Sequence, residues 1–252
     1  MIEFSRFKVL TFDCYGTLID WDSSLSSLVQ PWLREIGLKE IGSQVPPDLV
    51  ISAFALMQAK HQQTRPTLLY PEVLRRSWRD IEDQFGWDEN PDRAEAFARS
   101  VPHWRPFADT IESLRYLSRH FSLAILSNVD NASLAGTLKI LEVPFLFTVT
   151  AEDVGSYKPE QPHFDAAFRE AAQYKISKNE ILHVAQSKHH DISPGNRLGL
   201  TTVWVDRRHG RKGTGATLAA TANPTLTVNS LAELVDLHKS TQGKAFPLAS
   251  AR

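Results

Sequence analysis

Five short apolar runs punctuate the chain, at 8–12, 123–126, 146–150, 181–184 and 202–205. Each is too short for a helix and is bounded by polar or glycine-bearing stretches, which predicts buried parallel strands. Between the later runs the apolar period changes. Residues 110–119 put Ile111, Leu114 and Leu117 on one stripe, and residues 161–172 do the same with Phe164, Ala167, Phe168 and Ala171. Strands alternating with amphipathic helices predict an α/β fold, a doubly wound parallel sheet with helices on both faces. Residues 22–98 break that alternation: they are helically patterned at 25–36, 47–63, 70–85 and 92–99, with no strand signal. A helical block interposed after the first strand predicts a cap over the sheet edge where that strand ends. The expected division is a discontinuous core of 1–20 and 99–240, a helical cap of 21–98 and a loose tail of 241–252.

Composition narrows the class. The 252 residues are 42% hydrophobic and 23% charged, enough for a packed core. A formal charge of −1 gives no electrostatic footprint for nucleic acid or for a membrane surface. The basic stretch 207–212 is too short to change that and reads as a solvated loop, or as one folding back near the active-site edge. The lone Cys14 excludes an intrachain disulfide and a cysteine-built metal site. The first ten residues, MIEFSRFKVL, lack a signal-peptide pattern. No apolar run approaches the ~20 residues that span a bilayer. A cytoplasmic protein is expected.

Four polar signals follow predicted strands: Asp13 with Cys14, Tyr15, Gly16 and Thr17, then Ser127-Asn128, then Lys158, then Asp191. Open α/β sheets place their chemistry at the carboxyl ends of strands, so these groups are expected to converge. A nucleophilic carboxylate needs a nearby cation to stay ionised, which Lys158 can supply. Ser127 and backbone N–H groups can hold an anionic substrate group, and Asp191 can orient the lysine and help activate water. Plainer readings coexist: Ser127-Asn128 as a helix N-cap pair, Asp191 as the cap of 192–198, Lys158 as a loop lysine and Cys14 as a small buried hydrophobe.

Taken together, Phe12-Asp13-Cys14-Tyr15-Gly16-Thr17-Leu18, Leu126-Ser127-Asn128, Tyr157-Lys158-Pro159 and His190-Asp191 resemble the haloacid dehalogenase superfamily along nearly the whole chain. The resemblance implies a Rossmann-like core with an inserted helical cap. Its phosphatases carry a second aspartate at the position of Tyr15 and an acid at that of Gln186. Here both are absent, so the first motif is similar to the 2-haloacid dehalogenase (type II) branch, which needs no metal. By resemblance no cofactor is expected, the substrate is a small carboxylate, and a homodimer is suggested. Asp13 would displace a 2-substituent to form an aspartyl ester that water then hydrolyses. Ser127 and the N–H groups after Asp13, Cys14 among them, would hold the substrate carboxylate, with Asn128 toward the leaving group. Lys158 and Asp191 would position nucleophile and water. Thr17, Tyr15, Trp21 and Tyr70 would line the pocket, with Lys188 and His190 near it.

The chain also departs from that branch. The cap arginine that collects halide has no counterpart in 51–64, although Lys60, His61 and Arg65 lie close by. Gln186 and Lys188 stand where the branch has serine and asparagine. The run Ala185-Gln-Ser-Lys-His-His-Asp191 is similar to a sister group that includes azetidine-2-carboxylate hydrolase, in which a ring nitrogen leaves. His189 or His190 would then serve as proton donor. Halide or amine is open as the leaving group. A Mg²⁺-dependent phosphatase of the same fold and an inactive binding protein are the competing readings.

Overall fold

The computed structural model describes residues 2–39, 45–209 and 215–242. Its centre is a six-stranded sheet, all parallel: β1 (Val9–Phe12), β2 (Ser122–Ser127), β3 (Phe147–Thr150), β4 (Ile181–Ala185), β5 (Thr201–Val205) and β6 (Leu226–Val228). The spatial order is β3-β2-β1-β4-β5-β6. That order reverses direction between β1 and β4, so a crevice opens outside their carboxyl ends. Five of the six strands coincide with the predicted apolar runs. The sixth is three residues long and partly exposed, too brief to register as a run.

Between β1 and β2 the chain makes four helices, α1 (Trp21–Lys39), α2 (Pro47–Thr64), α3 (Tyr70–Phe85) and α4 (Pro91–Ala98), before α5 (Thr110–Leu117) returns to the sheet. The four have an aromatic core of their own. Phe54 and Trp78 both pack on Phe97, and Trp32 packs edge-on against Trp78. Helices α6 (Asn131–Leu141), α7 (Ala151–Val154), α8 (Pro162–Gln173), α9 (Ser193–Arg197) and α10 (Leu231–Gln242) complete the layers. The pleat of β1 divides the core. Leu10 and Phe12 face the larger cluster, which reaches the inserted helices, while Val9 faces Phe164, Ala167 and Ala171 of α8. The loose tail expected from 241 begins inside α10, and 243–252 lie outside the described residues, as do 210–214 of the basic stretch. No helix among the described residues is long and apolar enough to cross a membrane.

Arg207 is an anchor rather than a solvated loop residue, in line with the alternative expectation that its segment folds back near the active-site edge. Its guanidinium bonds Asp109 at 2.8 and 2.9 Å and the Thr17 carbonyl at 3.0 Å. Asp109 in turn accepts from Leu231 N and Ala232 N at the start of α10, at 2.7 and 3.2 Å. One carboxylate thus ties α10, the segment after β5 and the turn after β1. Asp109→Ala leaves a buried guanidinium and a helix start unpaired, a loss of about 2–3 kcal/mol. Thermal unfolding followed by circular dichroism is expected to show a clear drop in Tm; an unchanged Tm would remove this anchor from the fold.

Candidate active site

Asp13 follows β1 directly, and its N–H continues the ladder to Val184 O at 3.1 Å. The chain then turns tightly, with Leu18 N and Ile19 N both donating to Cys14 O, at 2.8 and 3.0 Å, and Gly16 N to Ile19 O at 2.8 Å. Gly16 sits at φ +95°, and a Cβ there would lie 3.0 Å from Trp21 Nε1 and 3.1 Å from Gln186 Oε1. Only glycine allows both the turn and that approach. Within the turn Thr17 Oγ1 donates to Asp13 Oδ2 at 2.7 Å and accepts from Gln186 N at 2.8 Å.

Lys158 joins the strand ends. Its Nζ donates to Asp13 Oδ1 at 3.0 Å, to Asp191 Oδ1 at 2.7 Å and to Leu126 O at 2.8 Å, which uses all three ammonium protons. The backbone that carries it is clasped by Asn128, whose Oδ1 accepts from Lys158 N at 2.7 Å and whose Nδ2 donates to Lys158 O at 3.0 Å. The Lys158–Pro159 peptide is cis. Asp191 lies in a π-helical turn, Lys188–Ile192, that Ser187 caps by accepting from His190 N at 3.0 Å. The Asp191 side chain is therefore no N-cap; its Oδ1 also meets His183 Nε2 at 3.1 Å. Ser127 and Asn128 are not the cap of α6 either, since Asp130 holds that position through Ser133 N. Ser127 Oγ and Asp191 Oδ2 are buried and meet no partner among the described residues.

The electrostatics follow from burial and the one cation. Burial pushes the Asp13 carboxyl up, only partly offset by Lys158. Burial also works against Asp191, but Lys158 and the His183 N–H outweigh it and hold that carboxyl well below the usual range. Lys158 is itself raised, because its two carboxylates outweigh its own burial. Burial takes His190 down to about 3, so its ring is neutral near pH 7. Burial likewise lifts the Cys14 thiol and the Tyr15 hydroxyl well above their ordinary values.

Between the sheet edge and the inserted helices lies a small cavity of about 30 Å³. Asp13, Tyr15, Asn128, Lys158 and His190 line it from below, Trp21 and Tyr70 from the helical side. Thr17, Ser127 and Asp191 stand behind that lining, bonded to it or adjoining it. Two expected substrate contacts fall elsewhere. The Cys14 side chain is fully buried in the core, which leaves only its backbone N–H for a ligand. Lys188 is drawn off the crevice by a cation–π contact, its Nζ lying 3.7 Å from the ring centroid of Trp204. Gln58 and Gln62 line the cavity unforeseen, and a glutamine in a helix carries no signal of burial. Gln58 Nε2 donates to Ala216 O at 2.8 Å, and Tyr70 OH to Gln58 Oε1 at 3.3 Å, which docks α2 and α3 onto the segment after β5. His183 was equally unmarked, although a histidine within an apolar strand is the kind of signal that exposes such a residue.

Magnesium, which phosphatases of this architecture use, does not fit these residues. Among the described residues Asp13 is the one carboxylate lining the cavity, and both its oxygens are bonded. Tyr15 directs its hydroxyl to Thr137 at 2.7 Å, and Gln186 offers only a neutral amide oxygen. No group of three or more histidine, cysteine, aspartate or glutamate side chains converges as a metal cage among the described residues. A hard cation draws its binding from carboxylates that are missing here.

Lys158→Met leaves two buried carboxylates facing each other, with an expected loss of about 3–5 kcal/mol at pH 7. Without the ammonium their folded pKa values rise above the unfolded ones. The loss is then full above the folded values and shrinks as pH falls through them. Adding Asp13→Asn to Lys158→Met restores part of the stability, since one repelling charge is gone. Urea denaturation at pH 7 and pH 5 checks both; equal loss at the two pH values, with no rescue, would mean the ammonium does not compensate these carboxylates.

Residues 70–205 match the family model of haloacid dehalogenase-like hydrolases. Over 93 residues the chain is 33% identical to the pyrimidine 5'-nucleotidase YjjG of Escherichia coli (strain K12), a stretch covering 37% of this chain and 38% of that protein. Among solved structures, L-2-haloacid dehalogenase PA0810 superposes with a TM-score of 0.74 at 22% identity, over 93% of this chain and 99% of that one. The L-2-haloacid dehalogenase of Xanthobacter autotrophicus with chloropropionic acid covalently bound gives a TM-score of 0.73 at 17% identity, over 95% and 100%. At such identities the likeness speaks for the fold. The family match spans more than half of the chain and includes the strand ends that carry Ser127, Lys158 and Asp191, so the protein belongs to the haloacid dehalogenase-like hydrolases.

Proposed function

We propose that the protein hydrolyses a short-chain carboxylic acid substituted at C2, through a covalent ester on Asp13. One observation carries this reading: Asp13 reaches the cavity held by Lys158 and Thr17, with Tyr15 where a second carboxylate would serve phosphoryl transfer. In the first step an Asp13 oxygen bonds to C2 and the C2–substituent bond breaks, the substituent leaving with the electron pair. In the second step water attacks the ester carbonyl and loses a proton. The carbonyl–oxygen bond to the substrate breaks, Asp13 is restored and a 2-hydroxy acid leaves. Ser127 Oγ and the Cys14 and Tyr15 N–H groups would hold the substrate carboxylate, since Gly16, Leu18 and Ile19 N–H are bonded within the turn. Lys158 keeps Asp13 ionised for attack, and Asp191 receives the proton of the water.

Displacement at carbon requires little of the protein beyond in-line placement, which a tight cavity supplies. A halide departs without a proton. An amine leaves with the proton its own ammonium carries, because His190 lines the cavity but is held neutral by burial and has no acidic proton to give, against the donor role expected of it. The solved relative with covalently bound chloropropionic acid supports the ester chemistry by analogy of fold.

The similarity to the nucleotidase YjjG favours a second reading, hydrolysis of a nucleoside monophosphate. Its requirement for charge-stabilised phosphoryl transfer finds no metal donor set among the described residues.

L-2-chloropropionate, haloacetates and azetidine-2-carboxylate, offered with EDTA present, are expected to yield hydroxy acid from at least one of them. Mass spectrometry of quenched turnover is expected to find the adduct on the Asp13 peptide, and Asp13→Asn to abolish both. Turnover without that adduct would sink the ester mechanism. Phosphate release from a nucleoside monophosphate that EDTA stops would install the second reading in its place.

A further inference from the structure

The geometry points to His183 as a positioning residue that holds Asp191 in place from within the sheet. The inference rests on the reading of Asp13, Lys158 and Asp191 as one catalytic set. His183 occupies the middle of β4 and is fully buried, and it does not line the cavity. Its Nε2 lies 3.1 Å from Asp191 Oδ1, and its Nδ1 lies 2.9 Å from Thr11 Oγ1. An ionised carboxylate only accepts, so Nε2 carries the proton that reaches Asp191.

The ring has little freedom to do anything else. Thr11 and His183 are register partners on β1 and β4, so the sheet sets their side chains beside each other. Phe164 of α8 closes the other side, edge-on with centroids 5.6 Å apart. The consequence falls on Asp191. Oδ1 receives two donors, Lys158 Nζ and His183 Nε2, while Oδ2 receives none among the described residues. Two donors on one oxygen fix the rotation of the carboxylate; one donor would let either oxygen take the lysine. Oδ2 is thereby kept as the oxygen with lone pairs in reserve. Packing alone does not explain the histidine. The neighbouring positions of β4 are Ile181, Leu182, Val184 and Ala185, and a leucine would fill the site without desolvating an imidazole.

His183→Leu is expected to lower kcat about 10- to 100-fold, in the range seen when a hydrogen-bonded orienting group is removed. KM should stay within about twofold, because the ring does not touch the cavity. The acid limb of the pH profile should move to higher pH, since the His183 donor helps keep Asp191 ionised. The other groups around Asp191, namely Lys158, Asp13, His163, His189 and His190, remain in the variant. His183→Gln, which can present an amide N–H near the place of Nε2, should recover part of kcat. Thr11→Val should show a smaller loss in the same direction. Independently of turnover, long-range proton–nitrogen spectra of the ¹⁵N-histidine protein should show the Nε2–H form of the ring whose signals vanish in His183→Gln.

An Nδ1–H ring overturns the proposal, as does His183→Leu with full kcat and an unmoved acid limb. If the wild type forms no Asp13 adduct while the Nε2–H ring is seen, the function reading fails and the placement of Asp191 by His183 stands.

Discussion

One ammonium group organises this site. Lys158 Nζ lies within 3.0 Å of two carboxylates from different strand ends and of a backbone carbonyl from a third. Two buried carboxylates so close would not both stay ionised alone, because burial and mutual repulsion each favour protonation. The lysine removes the repulsion and provides a template at once. It also sets an asymmetry between them, with Asp13 raised by burial and Asp191 held low. Groups whose surroundings drive their pKa values apart are suited to different tasks in one reaction.

The rest of the structure supports that ammonium. Strand order brings the ends of β2, β1 and β4 side by side, so Leu126 O, Asp13 and Asp191 surround a single point. Asn128 fixes the backbone of Lys158 with two hydrogen bonds, so the side chain reaches this point from a set origin. Thr17 couples Asp13 to the segment after β4 through Gln186 N. Arg207 reaches the same turn from behind by bonding Thr17 O. Strain or motion in any of these segments would be felt at the carboxylates.

The strands and the four polar groups were legible because both depend on local pattern: apolar runs mark β1 to β5, Asp13 and Ser127 stand at the ends of β1 and β2, and Lys158 and Asp191 follow β3 and β4 after a short segment. The inserted helices were legible from the change of period. Residues whose roles depend on long-range register were not. His183 reads as one polar letter in an apolar strand until the pairing of β1 with β4 places Thr11 beside it. Gln58 and Gln62 read as helix surface until α2 docks over the sheet edge. Lys188 opens a π-helical turn and lies over Trp204 of β5, a long-range neighbour that the local sequence does not announce. Arg207 looked like part of a basic loop because its partner, Asp109, lies far away in sequence.

Charge balance limits the chemistry further. Asp13 and Asp191 set against Lys158 leave the cluster with one excess negative charge, and a carboxylate substrate would add another. The helical side of the cavity contributes only neutral groups, Gln58, Gln62, Tyr70 and Trp21. A carboxylate substrate would therefore be held by hydrogen-bond donors rather than by a second cation, which places the weight on the N–H groups that follow Asp13. Such donors count for more in a dry cavity than in water. At about 30 Å³ the cavity has room for only about two waters. A departing halide would likewise meet neutral donors, while an amine departing with its own ammonium proton would leave no anion to stabilise. The neutral lining therefore suits an amine at least as well as a halide, and it is the clearest physical difference between this site and one built around an arginine.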